Sequence, residues 1–185
     1  MKKKIREIAK LSRGVNTTRF RSNNEDGVEL YDQQSFNYDS EFYEEHNVVS
    51  NKQIEDDKYL NKGDIVISNL TQKAVIVSST NQGKIITANF TKVELKINLN
   101  KGYFIYLYNN SSNVQKQKQQ NTLDSGVIQI LNNKSMENIE IDIVDEELQE
   151  QIGVAYLTTR KLMTNLNKSA ELVEKLTNTI IENKI

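Results

Sequence analysis

The 185-residue chain has no cysteine, no proline, no tryptophan and a single histidine. Without cysteine there is no disulfide framework, no thiolate zinc site and no cysteine nucleophile. One histidine excludes a histidine cage around a metal and argues against a Ser-His-Asp hydrolase. The longest apolar run is the six residues 103–108, against the ~20 needed to span a bilayer. Lys2, Lys3 and Lys4 open the sequence with no apolar stretch behind them, so no secretory signal is expected. These absences predict a soluble cytoplasmic protein without membrane association. The hydrophobic fraction of 37% suffices for a core, and the length suits one domain plus an appendage.

The net charge of −1 conceals a segregation. Residues 1–21 hold eight basic residues and one acid, giving +7; residues 22–60 carry −9, residues 61–121 carry +6 and residues 122–185 carry −5. Blocks of this size point to separate surfaces with separate partners, unless they fold together and neutralise each other. Asparagine and glutamine account for 35 residues. An AT-rich coding sequence explains such a bias; at the right positions, amides also pair with adenine edges in a DNA major groove.

Ile5, Ile8 and Ala9 have helical spacing, predicting a short helix over 3–10 that Gly14 ends. A brief strand is expected at Val28, Leu30 and Tyr31, whereas residues 32–58 are acidic and show no period. Asn61-Lys62-Gly63-Asp64 and Asn81-Gln82-Gly83-Lys84 are turn signals. Between and after them, Ile65-Val66-Ile67, Ala74-Val75-Ile76-Val77 and Ile85-Ile86 read as buried strands, with 74–85 forming a hairpin. Val93, Leu95 and Ile97 alternate with Glu94 and Lys96 as a half-buried strand. A helix from Tyr103 through Gln120 and strands over 126–131 and 139–143 complete an α+β body with a mostly β core, over residues 1–144.

The tail, residues 145–185, is the most regular feature. Steps of four and three from Leu148 land on Ile152, Ala155, Thr159, Leu162, Leu166, Ser169, Val173, Leu176 and Ile180. Eight of these ten positions are aliphatic, so one long C-terminal coiled-coil helix is expected. Asp145, Glu146 and Glu147 suit its positive end, and Gly153 weakens it by ~1 kcal/mol relative to alanine. About 50 Å of helix exceeds what a small globule can bury, so the seam needs a partner.

Little here supports catalysis. His46 sits among acids as an ordinary surface residue, and Tyr156 and Lys161 have no catalytic neighbours in sequence. Asp64 with Glu94-Leu95-Lys96 imitates the spacing of metal-dependent nucleases, where two carboxylates hold Mg²⁺ and lysine steadies the attacking water. A turn explains Asp64, and the wet face of a strand explains Glu94 and Lys96. No glycine-rich phosphate loop is present.

The order of motifs carries a resemblance. Leu11-x-x-Gly14 with Asn16-Thr17-Thr18-Arg19 comes first, then Leu60-Asn61-Lys62-Gly63-Asp64-Ile65-Val66-Ile67-Ser68, then Tyr103-Phe104-Ile105-Tyr106-Leu107-Tyr108. Gly126-Val127-Ile128-Gln129-Ile130-Leu131 and Met136-Glu137-Asn138-Ile139-Glu140-Ile141 follow, and Gln149-Glu150-Gln151-Ile152 opens the helix. This order resembles the specificity subunit of type I restriction-modification systems, in a half-length form with one target-recognition domain and one spacer helix. The chain departs from the family at Ile143-Val144-Asp145-Glu146-Glu147, where prolines are usual.

The resemblance implies a non-catalytic subunit that reads half of a bipartite double-stranded DNA site. It would dock methyltransferase subunits, which bind S-adenosylmethionine, and would itself hold neither cofactor nor metal. It would form a homodimer or pair with another half through Leu148, Ile152, Ala155, Thr159, Leu162, Leu166, Val173, Leu176 and Ile180. On the basic blocks, Arg19, Arg21, Lys73 and Lys84 are expected at phosphates. Asn16, Thr17 and Thr18 are also expected at DNA, and Asn69, Gln72, Asn81 and Gln82 lie in the same loops as the lysines, where their amides would meet base edges. The competing reading is a protein-interaction module, or an antagonist that binds modification subunits without reading DNA.

Overall fold

The computed structural model describes residues 1–17, 29–41, 56–123 and 131–184. Its N-terminus is a strand, one helical turn and a second strand, β1 (Lys2–Lys4), α1 (Ile5–Ile8) and β2 (Ala9–Arg13), not the helix expected over 3–10. One turn suffices to bury Ile5 and Ile8, and the flanking residues find strand partners. β1 pairs antiparallel with β8 (Glu140–Asp142), which ties the two ends of the domain together.

Next come β3 (Leu30–Tyr31) and α2 (Gln33–Glu41). The sequence gives no periodic sign of α2, because it buries only Ser35, Phe36 and Asp39. Its start is set by Asp32, whose carboxylate accepts from the Ser35 N–H at 2.8 Å. That backbone donor holds the Asp32 carboxyl below its ordinary range.

β4 (Ile65–Ser68) and β5 (Ala74–Ile76) form a hairpin, and with β2 and β7 (Phe90–Leu95) they build an antiparallel sheet in the order β2-β7-β4-β5. Both faces of this sheet are covered. Ile65, Ile67, Ala74, Ile76 and Val93 pack on one side; Val66, Val75, Val77 and Phe90 pack on the other with Tyr31, Phe36, Leu60 and Ile86. A strand buried on both faces reads as an unbroken aliphatic run, and each such side chain contributes ~1.5–3 kcal/mol. The expected 74–85 hairpin does not form. β6 (Ile85–Ile86) pairs in parallel with β3 instead, after a 3₁₀ turn at Ser79–Asn81.

The helix expected over 103–120 is two helices, α3 (Lys101–Asn110) and α4 (Ser112–Leu123), broken where Ser111 takes an extended conformation (ψ 123°). α3 lays Tyr103, Phe104, Ile105, Leu107 and Tyr108 into the main core, and α5 (Asn133–Glu137) adds Met136. Of the strand expected over 126–131, only Leu131 is described, and it is buried in the same cluster.

The tail is one helix, α6 (Glu146–Glu182), of 37 residues, with the Asp145 carboxylate accepting from the Leu148 N–H at 2.9 Å. Its first half lies on the domain. A Cβ on Gly153 would sit 2.1 Å from Asn100 Oδ1 and 3.0 Å from Tyr103 N, and one on Gly102 would sit 2.8 Å from Gly153 O. The two glycines let α6 cross the start of α3 at backbone contact, with Leu157 against Gly102 and Tyr156 edge-on to Tyr106 at 5.7 Å. The Thr164 hydroxyl, donating to Glu41 O at 2.7 Å, ties the middle of α6 to α2. Residues 165–182, about 27 Å of helix, are exposed throughout. The seam therefore keeps an open face: Leu162, Leu166, Val173, Leu176 and Ile180 are 47–63% exposed, and Ile152 alone leans on the core.

Gly153→Ala should therefore destabilise the protein by about 1–3 kcal/mol in chemical denaturation, through overpacking. This opposes the ~1 kcal/mol that helix propensity alone would add. A stabilised variant would show that the crossing relaxes freely; Ser169→Ala, at an exposed site on the same helix, should be neutral.

Candidate nucleic-acid interface

Because both faces of the sheet are covered, its two ends present the loops. At one end β2 finishes, β7 begins and the β4–β5 turn protrudes, since Arg13 pairs with Thr91 and Ser68 with Phe90. The Gly14 N–H donates to Phe90 O at 3.2 Å and the Val15 N–H to Ile86 O at 2.8 Å. A Cβ on Gly14 would lie 2.2 Å from Thr87 O, so only glycine allows this approach. The Asn69 N–H donates to Asn89 O at 2.9 Å and the Leu131 N–H to Asn69 O at 3.3 Å. Four segments thus meet: 13–17, 69–73, 87–89 and 131–134.

None of the four contains an acidic residue. Arg13, Asn16, Thr71, Lys73, Asn89, Asn132 and Lys134 are exposed there, and so is Leu70. The opposite end of the sheet differs: three of its lysines meet acids. Lys92 meets Asp64 at 2.8 Å, Lys84 meets Glu29 at 3.7 Å, and Lys10 meets Asp57 at 3.0 Å and Glu94 at 3.5 Å. Among the described residues, the charge blocks thus pair in part at one end and leave cations without acid partners at the other.

The expected DNA-contacting residues divide accordingly. Thr18, Arg19 and Arg21 lie outside the described residues, as does His46. Asn16, Thr17, Gln72 and Lys73 are at the first end, whose four described segments carry no acid. Asn69 is there too, but it is 6% exposed: its amide donates to Ala88 O at 3.3 Å and its oxygen accepts from the Thr91 hydroxyl at 2.9 Å. It builds the site and does not face outward. Asn81, Gln82 and Lys84 are at the other end, because 74–85 is not a hairpin. Asn81 is 1% exposed and donates both amide hydrogens, to Ser35 O at 3.0 Å and Asp39 Oδ1 at 2.8 Å. Asp39 also accepts from the Tyr31 hydroxyl at 2.7 Å and the Ser78 N–H at 3.1 Å; burial nevertheless pushes its carboxyl up. Lys84 donates to Ser35 Oγ at 3.0 Å besides its ion pair. Arg13, Leu70, Asn89, Asn132 and Lys134 were missed, because only strand pairing and the position of α5 bring them to the same end.

The β4–β5 turn is held from behind. Gln72 has a positive φ of 55°, and its carbonyl accepts from Lys118 Nζ at 2.8 Å. The same ammonium donates to Tyr108 O at 2.5 Å and lies 3.6 Å from the centre of the Tyr108 ring. Burial pulls the Lys118 pKa down to about 7.

The nuclease-like trio does not assemble. Asp64 accepts from the Asn61 N–H at 2.8 Å and pairs with Lys92, while Lys96 donates to Arg6 O at 3.1 Å. Among the described residues no three carboxylate or histidine side chains could share a metal ion, and no helix is long and apolar enough to cross a membrane.

The family model of the type I restriction modification DNA specificity domain matches residues 1–180. The chain belongs to that family. The fold agrees with the solved HsdS subunit of Thermoanaerobacter tengcongensis (TM-score 0.56, 16% identity, 92% of this chain and 39% of that one). It also agrees with the type I restriction-modification S subunit of M. genitalium (TM-score 0.58, 14% identity, 97% of this chain and 44% of that one). A chain from a structure of type I restriction-modification complex assembly matches as well (TM-score 0.59, 14% identity, 98% and 43%). This specificity-family chain thus spans about two-fifths of the length of each. No curated protein sequence is similar to it at a significant level.

The folded chain carries Lys118 with fewer protons than the unfolded chain between about pH 7 and the ordinary lysine range. Stability contributed at this site is therefore present at high pH and lost as pH falls towards 7. Denaturation midpoints followed from pH 7 to 10 should show this rise in the native protein and a flatter profile in Lys118→Met; parallel profiles would remove Lys118 as the cause.

Proposed function

We propose that this chain is a DNA-recognition half-subunit. It reads one half of a bipartite duplex site through the acid-free sheet end, and a second copy or another half reads the other. The observation that carries this reading is the convergence of four loop segments bearing Arg13, Lys73, Lys134 and several amides, without one carboxylate, in a specificity-family chain. The cations suit phosphates, whose neutralisation gives salt-dependent affinity. Asn16, Gln72, Asn89 and Asn132 supply the donor–acceptor pairs that read adenine, and Leu70 suits a thymine methyl. Thr18, Arg19 and Arg21 extend the same segment in sequence.

The chain would perform no chemistry itself. Methyltransferase subunits docked on it would hold S-adenosylmethionine and modify the DNA, and the open seam of α6 would join the two halves. Two copies related by a two-fold axis would read an inverted repeat.

Selection of bound duplexes from a random pool, with and without a modification subunit, tests the reading directly: a consensus half-site is expected. Binding without sequence preference would favour the protein-interaction alternative. Arg13→Ala, Lys73→Ala and Lys134→Ala should each lower the slope of log affinity against log salt by about 1, whereas Lys84→Ala, at the far end, should leave it unchanged. Equal effects from all four would place the interface elsewhere. Leu162→Asp combined with Leu166→Asp should abolish self-association in sedimentation without unfolding the domain.

A further inference from the structure

Gln72, in the β4–β5 turn, is alone among the described non-glycine residues in having a positive φ. The left-handed region crowds Cβ against the following carbonyl oxygen, so the surroundings must hold a glutamine there. Backbone conformations of this kind collect at positions that meet a ligand. From the strand side the turn is closed by the Gln72 N–H, which donates to Ser68 O at 2.8 Å, and the Thr71 N–H, which donates to Ser68 Oγ at 3.1 Å. From behind it is held by the C-terminal end of α3. Asn109 brackets Ala74, its oxygen accepting from the Ala74 N–H and its amide donating to Ala74 O, both at 2.8 Å. The Gln72 carbonyl is taken by the Lys118 ammonium.

Lys118 is only 2% exposed, which removes it from any direct contact with a phosphate. Burying an ammonium is unfavourable, and a methionine would fill the same space without that penalty. What the lysine adds is three N–H donors, and three acceptors surround it: Gln72 O at 2.8 Å, Tyr108 O at 2.5 Å and the face of the Tyr108 ring at 3.6 Å. Tyr108 is in the last turn of α3, the negative end of that helix, where a cation is favoured. Gln115 fastens α4 to the same place, donating to Tyr108 O and Asn109 O at 3.0 Å each. The ammonium thus joins a rigid helix end to the one strained residue of the turn. Building on the DNA-reading proposal above, we infer that Lys118 is a positioning residue for base recognition: by holding Gln72 left-handed it aims the Gln72 amide at a base pair that the lysine itself never touches.

The charge state of Lys118 acts on this role and on stability in opposite senses. A neutral amine keeps two hydrogens, so one of the three acceptors would face its lone pair and the hold on the turn would loosen. Burial brings the Lys118 pKa to about 7, which puts that change near neutral pH. The titratable groups beside its contacts are Tyr108 on α3, Lys73 in the turn and Glu140 on β8. Burial pushes the Tyr108 hydroxyl up, so it stays neutral there; Lys73 is exposed, and Glu140 meets the neighbouring Gln117 through its backbone at 2.8 Å.

The test uses the full chain and the half-site obtained from the selection described above. Gln72→Ala should lower discrimination at one base pair about tenfold. Lys118→Met should lower it at the same base pair by a similar factor and leave the other positions and the salt slope as they are. In the double variant it should add nothing to Gln72→Ala. Equal loss on every duplex, or an additive double variant, would make Lys118 a structural support only and overturn the inference. A Gln72→Ala protein that reads every position as before would do the same. The native protein supplies a second readout should Lys118→Met fail to fold. As pH rises from about 7 to 9, its denaturation midpoint should rise while its discrimination at that base pair falls severalfold. Discrimination that stays constant, or that rises with stability, would overturn the inference and leave the DNA reading standing. A native chain that selects no consensus would sink the DNA reading itself, and this inference with it.

Discussion

The contact on which the rest of the molecule depends is the crossing of Gly153 over Gly102. It brings the backbone of a 37-residue helix against the first turn of the helix that fills the core. Asn100 is at the junction: its side-chain oxygen caps α3 by accepting from the Tyr103 N–H at 2.9 Å, and its backbone N–H donates to Gln149 Oε1 at 3.2 Å. Any side chain at either glycine would push the helices apart and rotate α6. The rotation matters because α6 carries two faces, one buried on the domain and one left open. A seam that faces outward from Leu162 onward is a consequence of where two Cβ atoms are missing.

The second constraint is the sheet with two buried faces. Such a sheet has no flat surface left open, and its loops cluster at its two ends. The charge segregation of the sequence resolves onto these ends. Lysines of the basic blocks meet acids of the 22–60 block at one end, through Lys10–Asp57 and Lys84–Glu29, while the other keeps its cations among amides. Exposed pairs such as these contribute little to stability; their effect here is to remove those lysines from the surface a polyanion would find. Lys118 serves the open end from below, tying the Gln72 carbonyl to the helix that fills the core.

Parts of this were legible beforehand. Ile65-Val66-Ile67 reads as a buried strand because aliphatic runs have few other uses, and the Gly63 turn before it appears with the expected positive φ of 85°. The long helix was legible from a period sustained over four heptads. α2 was hidden, since a helix that buries one aromatic, a serine and an aspartate leaves no apolar stripe. The break at Ser111 was equally silent: no proline or glycine marks it. Among expected contact residues, amide composition could not separate Asn16 and Gln72, which reach the surface, from Asn69 and Asn81, which hold loops together inside.

By itself the sequence determined what local periodicity and composition control: an α+β body, a long helix with an aliphatic seam, the lack of cysteine chemistry, and an order of motifs matching the specificity family. Only the tertiary structure decided which loops share an end of the sheet, which lysines are matched by acids, and which face of the helix stays open. The physical reason is range. Turns and helices form from neighbours a few residues apart, whereas the strand pairing of Arg13 with Thr91, the bond from Lys118 to Gln72 and the contact of Gly102 with Gly153 join residues 46 to 78 positions apart. No pattern read along the chain specifies those meetings.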